Sequence, residues 1–146
     1  MTLDAAQLLK MSQAQLDELF CKSPAGDIPM GEGEGTAIID PGTELSEIAA
    51  KFVHIFAWQG KVFDPKTGEL RNKILSVGMK AIIAKVSKEK SWFDGKECIV
   101  LDYSQTSLVA HWIRDEIREV APNLYLGIVY WDKTKLINFS LVFPKV

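Results

Sequence analysis

The chain has 146 residues, 47% of them hydrophobic and 25% charged, enough for one domain burying about two-thirds of its unfolded surface and too few for two. A net charge of −2 and a pI near 5.7 supply no basic field for phosphate backbones, which argues against a nucleic-acid partner. No stretch approaches the ~20 uncharged apolar residues of a membrane span and no basic segment precedes an apolar run at the N-terminus, so a cytoplasmic protein without membrane contact is expected.

Residues 2–21 read as one or two short helices, because Leu8, Leu9, Leu16, Leu19 and Phe20 recur at helical spacing and Ser12 is placed to cap the second. Such a segment could close one end of a barrel. Residues 22–35 follow, with Pro24, Gly26, Pro29, Gly31, Gly33 and Gly35. That density of breakers reads as a loop leading into a strand at 36–39. Gly31-Glu-Gly-Glu-Gly35 lacks the Gly-Lys-Ser/Thr ending of a phosphate loop, and its glutamates would repel phosphate. The glycines instead suit a tight bend or a close approach of backbone to another strand. No cofactor is expected.

A helix is predicted around 44–58. Thr43, Ser46 and Glu47 mark its start, and Leu45, Ile48, Ala49, Phe52, Val53 and Phe56 form one apolar stripe. His54, at the stripe's edge, reads as a packed or solvent-facing histidine rather than a ligand. From Lys61 the period changes to two, with short strands at 61–63, 70–75, 78–86 and 98–103, and turns at 65–68 and Asp94-Gly95. The last two strands are 124–131 and 136–143. In the second of these Ile137, Phe139, Leu141 and Phe143 alternate with Leu136, Asn138, Ser140 and Val142, the mark of a sheet with two different faces.

Residues 107–121 are ambiguous. Leu108, Val109, Trp112, Ile113, Ile117 and Val120 fit helical spacing with Ser107 as cap, yet 112–120 can also be drawn as a twisted strand; the helix is the preferred reading. Cys21 and Cys98 stand far apart with no second Cys or His beside either. They read as free, mostly buried thiols, with no disulfide framework and no metal site. The whole is expected to be one mainly β (β-rich α+β) domain over 1–146. It divides into an N-terminal helical segment (1–21), a Gly/Pro-rich loop (22–35) and an antiparallel barrel of about 7–8 strands with an inserted helix (36–146), closed so as to leave no exposed edges.

Two clusters could carry chemistry. His111-Trp-Ile-Arg114-Asp115-Glu116-Ile-Arg118-Glu119 would, as a helix, place His111 and Asp115 on one face, an arrangement that can orient an imidazole for proton transfer. Equally, its charges can form a solvated face of weak surface ion pairs. Asp102-Tyr103-Ser104-Gln-Thr106-Ser107 places Tyr103 where it could donate to a ligand carbonyl or enolate. The plainer reading is a turn and helix cap. No Gly-x-Ser-x-Gly elbow surrounds either serine. Trp58, Trp112, Tyr125 and Trp131 are aromatics that suit a pocket or an ordinary core. Lys61 could bind an acidic headgroup or simply protect a strand edge.

Trp58-Gln-Gly60-Lys61-Val-Phe63, the later Asn72, and a terminal half running from Asp102-Tyr103 through a charged Arg-containing segment to Tyr125-Leu-Gly127 and a last aromatic strand resemble small bacterial calycin (lipocalin-like) barrel proteins of the Gly-x-Trp-x-Gly type. In this chain Phe56 stands two residues before Trp58 where that pattern has Gly. The resemblance, over 56–143, implies a barrel pocket for a small hydrophobic or aromatic molecule, contacted by Trp58, Lys61, Asn72, Tyr103, Trp112, Tyr125 and Trp131 and oriented by Arg114 or Arg118. It also implies an alternative, a cofactor-independent cyclase, isomerase or decarboxylase using His111 or Asp115 as base and Tyr103 as acid. A homodimer held by exposed aromatics is a third arrangement open to the sequence.

Overall fold

A computed structural model describes residues 3–29, 31–38, 58–64, 69–74, 79–102 and 113–143. Two helices open the chain, α1 (Ala5–Leu9) and α2 (Gln13–Lys22). Each begins with a capping box. Asp4 accepts from the Gln7 amide while the Gln7 side chain accepts from the Asp4 amide, and Ser12 and Gln15 repeat the exchange. Amide donors that a helix start would leave orphaned are thereby satisfied within each box, and Ser12 is the cap that the sequence predicts.

Eight strands follow: β1 (Gly31–Ile38), β2 (Trp58–Asp64), β3 (Glu69–Ile74), β4 (Met79–Lys90), β5 (Glu97–Asp102), β6 (Ile113–Ala121), β7 (Leu124–Trp131) and β8 (Thr134–Val142). The expected β-rich, antiparallel architecture is what forms. Each strand pairs antiparallel with its successor and β1 pairs with β8, the strand order of a closed barrel. The turns are built from residues that tolerate their geometry. Asn123 takes the left-handed region (φ 62°) after Pro122, the combination a type II turn uses, and Asp132 and Lys133 both have positive φ, as a two-residue type I′ hairpin requires.

The strands have two distinct faces. Ile38, Cys98, Val100, Leu124, Leu126, Ile128 and Tyr130 form one cluster with Leu8, Leu16 and Phe20 of the helices. The helices therefore lie against the outside of the β-structure, covering an apolar strip that strands β1 and β5–β8 would otherwise expose to water. Ile99, Leu101, Ile113, Asp115, Ile117, Val129, Ile137, Phe139 and Leu141 are buried on the opposite, inner face. Their register is continuous: Leu101 faces Asp115, Asp115 faces Val129, and Val129 faces Ile137.

Two expectations are corrected. The predicted helix over 107–121 is strand from Ile113 to Ala121, while 103–112 lie outside the described residues. Its apolar markers Ile113 and Ile117 are four apart, a spacing that is one helical turn and also two strand repeats, so the two periods coincide there. The strand wins because it sends Arg114, Glu116 and Arg118 outward together, to partners on the neighbouring hairpin and α2. The Gly/Pro-rich loop is likewise shorter than 22–35, since β1 begins at Gly31. A Cβ on Gly33 would lie 2.6 Å from the ring of Phe143, so the glycine admits an aromatic side chain across the strand. The predicted helix around 44–58 falls almost wholly outside the described residues; Trp58, at its end, opens β2.

Candidate functional site

The charged segment of β6 divides by strand parity into two environments. On the outer face Arg118 is wholly buried. Its Nε donates to the Glu97 carbonyl at 3.1 Å, Nη1 to the Phe20 carbonyl (2.8 Å) and Asp94 Oδ2 (2.6 Å), and Nη2 to Asp94 Oδ1 (2.7 Å) and the Lys96 carbonyl (3.1 Å). A guanidinium has five N–H donors, and all are used. Its carbon also sits 4.4 Å from the centre of the Phe20 ring. Arg118 therefore ties α2, the β4–β5 hairpin and β6 together, and keeps no donor for a ligand.

The ion pair also sets the protonation of Asp94. Hydrogen bonds from Arg118 hold its carboxyl at about 2, against an ordinary value of 3.8, although burial pulls the other way. A carboxyl depressed in this way contributes stability that is complete above pH ~4 and is lost as the pH falls toward 2. Urea midpoints measured between pH 6 and 2.5 are expected to fall more steeply for the natural chain than for Asp94→Asn, which has no carboxyl to protonate there.

Arg114 is likewise engaged on the outer face. It donates to Glu116 Oε2 through Nε (3.2 Å) and Nη2 (2.9 Å), and to the Lys90 carbonyl at 2.9 Å, with its guanidinium 4.2 Å from the centre of the Trp92 ring. Glu116, fully buried, also accepts from Ser91 Oγ (2.6 Å) and the Trp92 amide (2.7 Å). Four donor contacts offset the cost of burying that carboxylate.

Asp115 is different. Only 2% exposed, it sits on the inner face between Leu101 and Val129 in register, with Ile113 and Ile117 two residues to either side. Its described neighbours on this face are apolar. Gly127 lies under Phe139, where an added Cβ would overlap the aromatic ring. One carboxylate in such a wall can accept a hydrogen bond from a bound molecule, or take a proton from one positioned against it.

Tyr125 and Trp131 are on β7 at opposite ends of this surface. Tyr125 is buried and donates its hydroxyl to the Asp27 carbonyl at 2.6 Å, while Trp131, 39% exposed, pairs with Ile113 at the other end. On the strands across the barrel, Lys61 is the register partner of Gly33 on one side and Asn72 on the other, and Trp58 pairs with Ile74 beside a bulge. Their side chains, and all of Tyr103, His111 and Trp112, lie outside the described residues. Asp115, Tyr125 and Trp131 thus belong to one inner surface, whereas Arg114 and Arg118 turn away from it. Parity explains the split: in a strand, Arg114 and Arg118 cannot share a face with Asp115.

Both thiols are free, Cys98 buried and Cys21 partly so. Burial, helped by the Glu116 charge, pushes Cys98 up to about 12 and removes it as a nucleophile at neutral pH. Among the described residues no three His, Cys, Asp or Glu side chains converge on a metal-sized site. The outer residues Asp94, Glu116 and Ser91 are not recognisable in the sequence as partners. Asp94 pairs with an arginine 24 residues away, and its local signal is only that of a turn.

No protein-family model and no curated protein matches the chain. Among solved structures, the crystal structure of a protein from Thermomonospora curvata superposes with a TM-score of 0.68 at 18% identity, over 98% of this chain and 100% of that one. Identity this low makes the likeness one of fold.

Proposed function

We propose that the protein is a calycin-like barrel that binds a small, largely hydrophobic or aromatic molecule against the inner face. The observation that carries this reading is Asp115, a buried carboxylate in a wall of Leu101, Ile113, Ile117 and Val129. A mainly apolar surface with a few placed polar groups is the pattern of a small-molecule site, since the apolar part supplies affinity and the polar atoms fix orientation. A barrel of about eight strands has an interior sized for packed side chains or one small guest. Glycine at 33 and 127 lets the rings of Phe143 and Phe139 lie directly against the backbone of the wall. The preferred guest carries an N–H or O–H donor that Asp115 can accept. This moves the orienting role away from Arg114 and Arg118, which lie on the outer face and bind Glu116, Lys90 and Asp94 there.

Titration with N-phenyl-1-naphthylamine, an apolar fluorophore with one N–H, tests the reading. One-to-one binding is expected, weakened by about 1–3 kcal/mol in Asp115→Leu, which keeps the branched shape and removes the acceptor. Absence of binding, or binding indifferent to Asp115, would count against the site. Asp115 also leaves room for the alternative of acid/base catalysis on the same guest, in which it would be the proton acceptor.

A further inference from the structure

The helices and the strands are attached to the molecule in different ways. Neighbouring strands share backbone ladders. Past α2 the main chain is fastened again, where the Ala25 carbonyl accepts from the Glu119 amide at 3.3 Å and the Asp27 carbonyl from the Tyr125 hydroxyl at 2.6 Å. Between 3–22 and the barrel, among the described residues, no backbone amide meets a backbone carbonyl. The polar contacts of this segment run through side chains instead: Gln13 with Asn138 at 2.8 Å, Asp17 with Lys135 at 2.9 Å, and Arg118 and Lys96 with the Phe20 and Cys21 carbonyls at 2.8 and 3.1 Å. Leu8, Leu16 and Phe20 supply the apolar contact. The change from one mode of attachment to the other falls at Ser23-Pro24. Ser23 is extended (ψ 146°), as a residue before proline prefers to be, and a proline cannot continue the helix.

Two features weaken the closed arrangement. Helices of 5 and 10 residues are too short to persist in water by themselves, so the segment regains chain entropy whenever it leaves the barrel. The second feature is Ser140. It stands between Thr36 and Leu126 on the outer face, fully buried, where α1 crosses β8 and β1. Among the described residues its Oγ has no hydrogen-bond partner. With the helices lifted that hydroxyl would bond to water, so the closed form carries a desolvation cost that the open form lacks.

We propose that 3–22 is a strap hinged at Ser23-Pro24, which opens and closes as one unit while the barrel and 25–29 stay in place. Opening bares Val100, Leu126, Ile128 and Ser140 on the outer face. The inner face lies on the other side of the same strands, so the strap moves independently of what the barrel holds.

Native-state hydrogen exchange of the full chain, followed residue by residue in low urea, tests this. The α2 amides are expected to exchange through one shared opening whose urea dependence is less than about half that of the β7 amides, because the slope scales with the surface exposed. Ser140→Ala removes the unsatisfied hydroxyl from the closed form and is expected to slow α2 exchange about fivefold or more. Leu16→Ala is expected to speed it at least tenfold. Ile117→Val, on the inner face, is expected to speed exchange in β7 about threefold or more and to leave α2 within about twofold. Circular dichroism verifies that each variant folds. Exchange of α2 with the full urea dependence of β7, an α2 rate that follows β7 in Ile117→Val, or one indifferent to Ser140→Ala or Leu16→Ala overturns the strap.

Discussion

Arg118→Met is expected to cost about 3–5 kcal/mol of folding free energy, read as a fall in the urea midpoint without a change in slope. The magnitude follows from what is left behind. Methionine fills most of the space but donates nothing, so the Asp94 carboxylate and the Phe20, Lys96 and Glu97 carbonyls all lose a donor at once. In melting temperature this is a drop of roughly 10 °C or more for a domain of this size. Arg118→Lys is not a remedy, because one ammonium has three donors and cannot meet acceptors spread around a planar fork. Asp94→Asn should cost less, since an amide still accepts from Arg118. Combining Asp94→Asn with Arg118→Met should cost less than the sum of the two, the deficit being the coupling of the pair. A small, additive loss would show that the N-terminal helices are held by their apolar faces alone.

Gly127→Ala is the second large effect. The new methyl would overlap the Phe139 ring that lies across this glycine in the inner layer, and overpacking a closed core costs about 1–3 kcal/mol. Gly127→Val should be worse, since its branched side chain has still less room. The test is rescue. Phe139→Leu alone opens a gap and destabilises, yet added to Gly127→Ala it removes the clash, so the double variant should be more stable than additivity allows. Strict additivity would mean that the ring does not rest on Gly127.

What could be read from the residues follows from which signals are local. The capping boxes at Asp4 and Ser12 sit within three residues of their partners, and the helices at either side of Met11 are correspondingly legible. The last strand carries a clean alternation, and the strand expected at 124–131 forms as Leu124–Trp131, while β8 opens at Thr134, two residues before the expected start at 136. β6 is where a local reading fails. Four-residue spacing between Ile113 and Ile117 satisfies both periods, and the decision is made by partners distant in sequence: Phe20, Asp94 and Ser91 for the outward residues, Leu101 and Val129 for the inward ones. That one choice of period also assigns the site. As a helix the segment groups Arg114 with Arg118, and His111 with Asp115; as a strand it turns Asp115 to the inner face and both arginines to the outer one. The glycines of β1 were similarly opaque, because the ring that Gly33 accommodates belongs to Phe143, at the opposite end of the chain.

The central claim is that the inner face around Asp115 holds a small apolar molecule. Native mass spectrometry of the chain purified from its own host tests it most directly. The expected spectrum contains, beside the bare polypeptide, a species heavier by one small molecule, present in the natural protein and diminished in Asp115→Leu. A spectrum of bare polypeptide alone, unchanged after the host's small-molecule extract is added back, would contradict it.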